Sequence, residues 1–345
     1  MKKTITIFSI LSLSLGLKAQ KQKTSQDSIN VFYNELFSVL EKSYLHRKSV
    51  DWKTVESETK DRLKSYNNFE KSLIEIKPFF NKINANHCLI FYNNKKYSGT
   101  GKVITKDDFS EQWKKKFDTK PAFEAKMIDE KYGYILMPNM LFFDLSPENI
   151  NKIAQPLYDK IAEIKSNNKP EGWILDLRFN TGGNSTPMLL ALYDLLGDNA
   201  VWGTLDGNKK MISKIKLNQG KYLDGSKKPA FINPKGELMD KAKVTVIIGP
   251  FTGSSGEVAA LAFKGRPNTI FIGEKTYGAT TANTQYTLPF GSTMAITIGY
   301  DSDRNGNYYE QIIPDVFVSK KDNFDNLLLD GNVVKAVKFF ENTRN

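Results

Sequence analysis

The sequence predicts an α/β fold with a mostly parallel sheet, preceded by a small helical domain. Three observations carry that expectation. From residue 123 onward, short β-branched runs alternate with stretches of helical apolar spacing, the order expected of a parallel sheet with covering helices. Residues 26–84 show helical spacing three times and little strand character. The stretch Val244-Thr-Val-Ile-Ile-Gly249 reads as a buried strand that breaks at Pro250 and Gly253, with helical spacing resuming from Glu257 to Phe263.

In the N-terminal part, Ile29, Phe32, Leu36 and Leu40 keep one helical face, and Trp52, Val55 and Leu63 form a second after a Ser49-Val50-Asp51 start signal. Phe69, Leu73, Ile76 and Phe80 form a third, so residues 24–85 are expected to make a helical domain and residues 86–345 the α/β domain. His87 to Tyr92 reads as a strand, Asn94 to Gly101 as a turn, and the charged stretch 103–122 as a loop. Lys126–Ile128, Tyr132–Met137 and Gly172–Leu177 read as strands, and Pro147–Ile164 and Met188–Leu196 as helices. Residues 207–241, rich in Lys, Gly and Pro, read as a hairpin or lid insertion. Further strands are expected at Ile270–Gly273, Thr281–Leu288 and Ser292–Tyr300. Asp303–Gly306 reads as a turn with a strand returning after it, and a helix is expected over Asn332–Asn342.

Residues 1–19 resemble a secretory signal peptide: Lys2 and Lys3 precede an apolar run from Ile5 to Leu17, and Ala19 suits a small-residue cleavage site. That run is too short to span a bilayer, and no Cys follows the cut for lipid attachment. The mature chain is therefore expected to be exported, periplasmic or extracellular, with no integral membrane segment. Cys88 is the single cysteine, so no intramolecular disulfide can form and packing must supply stability.

The formal charge of +11 becomes +8 once Lys2, Lys3 and Lys18 leave (11 − 3). The remaining lysines are scattered, and no basic helix carries interleaved aromatics, which argues against a nucleic-acid partner. No His/Cys cluster has metal-ligand spacing, and no phosphate loop or dinucleotide fingerprint occurs, so no metal and no cofactor are expected.

A strand, a tight Gly/Ser turn and a helix place the hydroxyls of Ser254 and Ser255 beside the positive end of a helix. A serine there is either a nucleophile with backbone N–H groups nearby or simply an N-cap. Asp176-Leu-Arg-Phe-Asn-Thr-Gly-Gly183 also joins a strand to a helix, and its paired glycines leave N–H groups free to face a ligand. Asp176 and Arg178 fit equally well as a structural ion pair. His46 sits in a polar inter-helix stretch, which leaves His87 as the candidate general base. Cys88 would point to the opposite side of its strand and reads as a small buried hydrophobe. Glu310 is either a solvated charge or the group that orients the histidine, in which case it would raise the imidazole pKa above ~6.5.

Together, Asn86-His87, Asp176-Leu-Arg-Phe-Asn-Thr-Gly-Gly183, Gly253-Ser-Ser-Gly-Glu257, Gly273-Glu-Lys-Thr-Tyr-Gly278 and Glu310-Gln-Ile-Ile-Pro-Asp315 resemble the C-terminal-processing (tail-specific) serine peptidase family, in that family's order over roughly residues 85–318. The resemblance implies a crotonase/ClpP-like core and a peptide or protein substrate. It implies Ser254 as nucleophile, with the N–H groups of Gly183 and Ser255 as oxyanion hole and Gly182 and Asn86 in support. The lysine of the Ser–Lys branch is replaced by Ala279, and Lys275 lies on the wrong side of Gly278. The chain is closer to the branch of tricorn-type proteases and retinoid-binding relatives, which implies a Ser254–His87–Glu310 triad. Asn86 stands where tricorn proteases carry a serine. The stretch 103–122 is too short for the family's peptide-binding (PDZ) insert, which needs roughly 80 to 100 residues. A catalytically inactive member binding a lipid, peptide or glycan, and an esterase or amidase of small acyl groups, fit the same residues. Oligomeric state is not given by the sequence.

Overall fold

The computed structural model describes residues 25–342; the signal-like segment 1–19 lies outside them. The described residues open with α1 (Ser25–Ser43), α2 (Trp52–Leu63), α3 (Phe69–Ser72) and α4 (Ile76–Lys82). Asp51 and Asn68 cap α2 and α3 by accepting from Thr54 N–H and Lys71 N–H. The hairpin β1 (Leu89–Tyr92) and β2 (Lys95–Ser98) follows, then α5 (Glu111–Asp118). Next come β3 (Glu124–Ile128), β4 (Tyr132–Leu136), α6 (Pro147–Asn168), β5 (Gly172–Asp176), α7 (Ser185–Ala191) and α8 (Tyr193–Leu196). A meander β6 (Ala200–Leu205), β7 (Met211–Asn218), β8 (Lys221–Leu223) and β9 (Ala230–Phe231) precedes β10 (Val244–Ile248) and α9 (Ser255–Leu261). The chain closes with β11 (Thr269–Gly273), β12 (Thr281–Leu288), β13 (Ser292–Ser302), β14 (Val316–Phe317) and α10 (Gly331–Asn342).

Two sheets result. One runs β14-β11-β10-β5-β4-β3, parallel except for the antiparallel β3–β4 pair. Its central strands are buried from end to end, as expected when helices cover both faces. Ile135, Trp173, Leu175, Val244 and Val246 face α6, α7 and α9, whereas Tyr134, Ile174 and Ile247 face α5 and α10. The second sheet runs β2-β1-β13-β6-β7-β8-β9 with β12 also on β13, and its pairings are antiparallel. The parallel arrangement expected from the sequence thus belongs to one sheet of two.

The N-terminal helices share a core with the antiparallel sheet: Phe32, Leu36, Phe37, Phe79 and Phe80 pack with Ile90, Leu288, Met294 and Ile296. Cys88 is fully buried in the same cluster, and burial pushes its thiol pKa up.

Some expectations need correction. The stretch 103–122, read as a loop, contains α5, whose Trp113 stacks on Phe109, Phe117 and Phe179. Its three consecutive lysines, Lys114 to Lys116, hide that short apolar face in the sequence. Residues 95–98, read as a turn, form β2. Residues 207–241 supply β7 to β9, which continue the antiparallel sheet and are anchored to α6 where Asn151 and Gln155 bond the Phe231 and Asn233 backbone. The strand expected after Gly306 is reduced to a single bridge between Ser302 and Tyr308.

Candidate active site

The site lies beyond the C-terminal ends of β5 and β10, where parallel sheets open a crevice between diverging turns. After β5, the turn 177–184 places Gly182 and Gly183 at φ +118° and +104°. A Cβ on Gly182 would sit 2.8 Å from Ser254 Cβ, and one on Gly183 would sit 1.8 Å from the Met140 carbonyl oxygen. Only glycine permits both the backbone conformation and these approaches.

After β10, the turn reaches Ser254 at φ 53°, ψ −120°, a conformation an L-residue holds only when its surroundings enforce it. Gly253 N–H donates to the Asn180 carbonyl (2.9 Å) and Tyr277 N–H to the Thr252 carbonyl (2.8 Å), which fixes the turn on both sides. Ser254 N–H donates to Glu257 Oε2 at 3.0 Å. Glu257 is fully buried and accepts three further bonds, from Thr276 Oγ1 (2.5 Å), Gly278 N–H (2.9 Å) and Ala279 N–H (2.7 Å). Burial pushes its pKa up, against hydrogen bonds that favour the carboxylate.

Opposite the turn stands His87, on a tight loop closed by Cys88 N–H to the Ala85 carbonyl (3.1 Å) and held by Asn283 Nδ2 donating to the His87 carbonyl (3.0 Å). Its Nε2 lies 3.0 Å from Ser254 Oγ and its Nδ1 lies 2.6 Å from Thr281 Oγ1. The ring is half-buried, and desolvation pushes its pKa down to about 4. In the tautomer that donates Nδ1–H to Thr281, the Nε2 lone pair faces the serine hydroxyl.

Ser255 Oγ donates to the Gly183 carbonyl at 2.7 Å, which locks the glycine turn to the first residue of α9. The N–H groups of Gly183 and Ser255 have no hydrogen-bond partner among the described residues. Asn86, His87, Gly182, Gly183, Ser254 and Ser255 all line one cleft of about 690 Å³, which Leu141, Phe142 and Leu145 also line.

Glu310 does not join them. It is exposed, and its inward-turned neighbour Gln311 donates from Nε2 to the Thr276 and Tyr277 carbonyls. The histidine partner is Thr281, so the expectation of a carboxylate raising the His87 pKa is corrected to a hydroxyl and a lowered pKa. Asn86 is exposed beside His87 and bridges it to no acid. Lys275 is exposed and outside the cleft. Asp176 and Arg178 form a buried ion pair, and Arg178 also meets Asp322 and Asp330. Thr281 drew no attention in the sequence because it reads only as the first residue of a strand.

The family model for Peptidase family S41 matches residues 131–318, more than half of the chain. The chain belongs to peptidase family S41. A nisin-resistance protein of Lactococcus lactis subsp. lactis is 39% identical over 152 residues, covering 43% of this chain and 46% of that relative. The alignment thus spans less than half the length of the curated relative. Among solved structures, a lipoprotein from Streptococcus agalactiae superposes with TM-score 0.65 at 20% identity, covering 98% of this chain and 99% of that one. A photosystem II D1 C-terminal processing protease superposes with TM-score 0.51 at 12% identity, covering 87% and 96%. These likenesses show a shared fold: an α/β core preceded by helices. Family S41 membership makes the chain a peptidase-family protein. Among the described residues no helix is long and apolar enough to cross a membrane, and no group of three or more His, Cys, Asp or Glu could hold a metal ion.

Proposed function

We propose that the protein is an exported serine peptidase that cleaves peptide bonds through an acyl-enzyme on Ser254, with His87 as general base. The observation that carries this is the 3.0 Å contact between His87 Nε2 and Ser254 Oγ in a cleft of about 690 Å³. Ser254 Oγ attacks the scissile carbonyl carbon while Nε2 takes the hydroxyl proton. The carbonyl oxygen becomes an oxyanion facing the N–H groups of Gly183 and Ser255, which are free to donate. Collapse breaks the C–N bond, and the imidazolium returns its proton to the leaving amine. Water then attacks the acyl ester, again with His87 taking the proton, and Ser254 is regenerated. Thr281 orients the ring throughout by accepting from Nδ1–H. A hydroxyl stabilises the imidazolium less than a carboxylate does, so the rate is expected to sit below that of a full triad.

Export rests on the signal-like residues 1–19. The helical domain is proposed to span residues 24–85 and the α/β domain residues 86–345. The name of the curated relative makes nisin a first candidate substrate beside an unbiased peptide library. Incubating the protein with both and reading new termini by mass spectrometry should show cleavage that Ser254→Ala abolishes. Intact substrates with both proteins would overturn the peptidase assignment in favour of a binding protein.

A further inference from the structure

Strand β13 has two faces. Met294, Ile296 and Ile298 pack toward the N-terminal helices, whereas Ala295 and Asp301 line the cleft. Asp301 is 1% exposed, and its Oδ1 has no hydrogen-bond partner. The other buried acids among the described residues are satisfied. Asp176 and Asp330 meet Arg178, Asp194 meets Lys165 and Tyr158, Glu257 accepts four bonds, and Asp303 accepts from Asn305 and Asn307. Asp301 is also the one carboxyl in the cleft lining, with Lys96 two strands away on β2. A buried carboxyl without a donor costs stability, and such groups persist where a ligand completes them.

We infer that Asp301 is a specificity-determining residue that receives the ammonium or guanidinium group of a basic side chain of a peptide lying in the Ser254 cleft. This rests on the peptide-substrate proposal above. Thr186 and Trp202 line the same cleft, and Trp202 Nε1 donates to Tyr222 OH. The indole therefore spends its donor elsewhere and offers its ring to the methylene stem of a lysine. Burial and the neighbouring Glu257 charge hold the empty carboxyl well above the ordinary carboxylate range. An arriving cation would favour the charged carboxylate and draw that value back down.

Two probes isolate the charge: Nα-acetyl-lysine N-methylamide and its norleucine counterpart, titrated into the full-length mature protein by NMR. The wild type should bind the lysine probe about tenfold or more tightly than the norleucine probe, the scale of one charge-assisted hydrogen bond. Asp301→Asn should bring that ratio to near one. Asp301→Ala serves as a second variant should the amide disturb folding. Ser254→Ala should keep the wild-type ratio, which separates this site from the chemistry. Equal binding of both probes by the wild type, or an unchanged ratio in a folded Asp301 variant, overturns the assignment. In library digestion, cleavage with no basic preference at any position also overturns it, whereas no cleavage with a preserved lysine preference overturns only the peptidase proposal.

Discussion

His87 Nδ1 lies 2.6 Å from Thr281 Oγ1, so the imidazole is oriented by a threonine hydroxyl at the start of β12. This hydrogen bond orients the ring, and where the hydroxyl accepts from Nδ1–H it leaves the Nε2 lone pair to Ser254. Replacing Thr281 by Val keeps the branched shape and removes the acceptor. The expected result is a loss of kcat/KM of about ten- to a hundredfold, with Thr281→Ser recovering most of it. Glu310→Gln should stay within about twofold of wild type, because its carboxylate faces solvent. Steady-state kinetics on any cleaved peptide checks both.

The His87 pKa, pushed down to about 4, sets the pH profile. The base acts only when neutral, and a depressed pKa keeps it neutral at lower pH than an ordinary histidine. The kcat/KM profile should therefore be level from about pH 6 to 8 and fall only as pH approaches about 4. A midpoint near ~6.5 would show an unshifted ring, and one above it would point to a carboxylate partner.

Glu257 should matter for the fold as much as for the site. Its carboxylate gathers the N–H groups of Ser254, Gly278 and Ala279 and the Thr276 hydroxyl. Glu257→Gln turns one acceptor oxygen into a donor facing buried donors. A loss of about 2 kcal/mol or more is expected in denaturant unfolding, together with loss of activity. Unchanged stability would mean that the turn holds Ser254 without this tie.

Gly182→Ala tests the close approach of the two turns. The added methyl meets Ser254 Cβ at 2.8 Å at a backbone φ of +118°. Reaction of Ser254 with an acylating probe should slow by about a hundredfold or more, on the scale of an oxyanion-hole lesion, while the protein still folds.

Much of this was legible in the sequence, and the exceptions have physical causes. The buried strands β4, β5 and β10 are continuous apolar runs, and α1 repeats its apolar residues at helical spacing, so both announce themselves. Ser254, His87 and the paired glycines stood out through residue type and the turns around them. Thr281 did not, because a hydroxyl that orients a histidine looks like any strand threonine until a sequence separation of 194 residues is folded away. The triad role that the resemblance implies for Glu310 fails for the complementary reason. Whether a carboxylate reaches a histidine depends on which neighbour turns inward, and here that is Gln311. Helix α5 was hidden because its aromatic contacts with Phe179 and Phe251 are long-range, while its local composition is charged.

The central claim is that Ser254 is activated by His87, and the most direct test is to locate a fluorophosphonate adduct by peptide mass spectrometry. The adduct should sit on Ser254 in the wild type, be absent from His87→Ala, and persist on Ser254 in a folded Ser255→Ala protein. An adduct on Ser255, or full labelling of Ser254 without His87, would contradict the account.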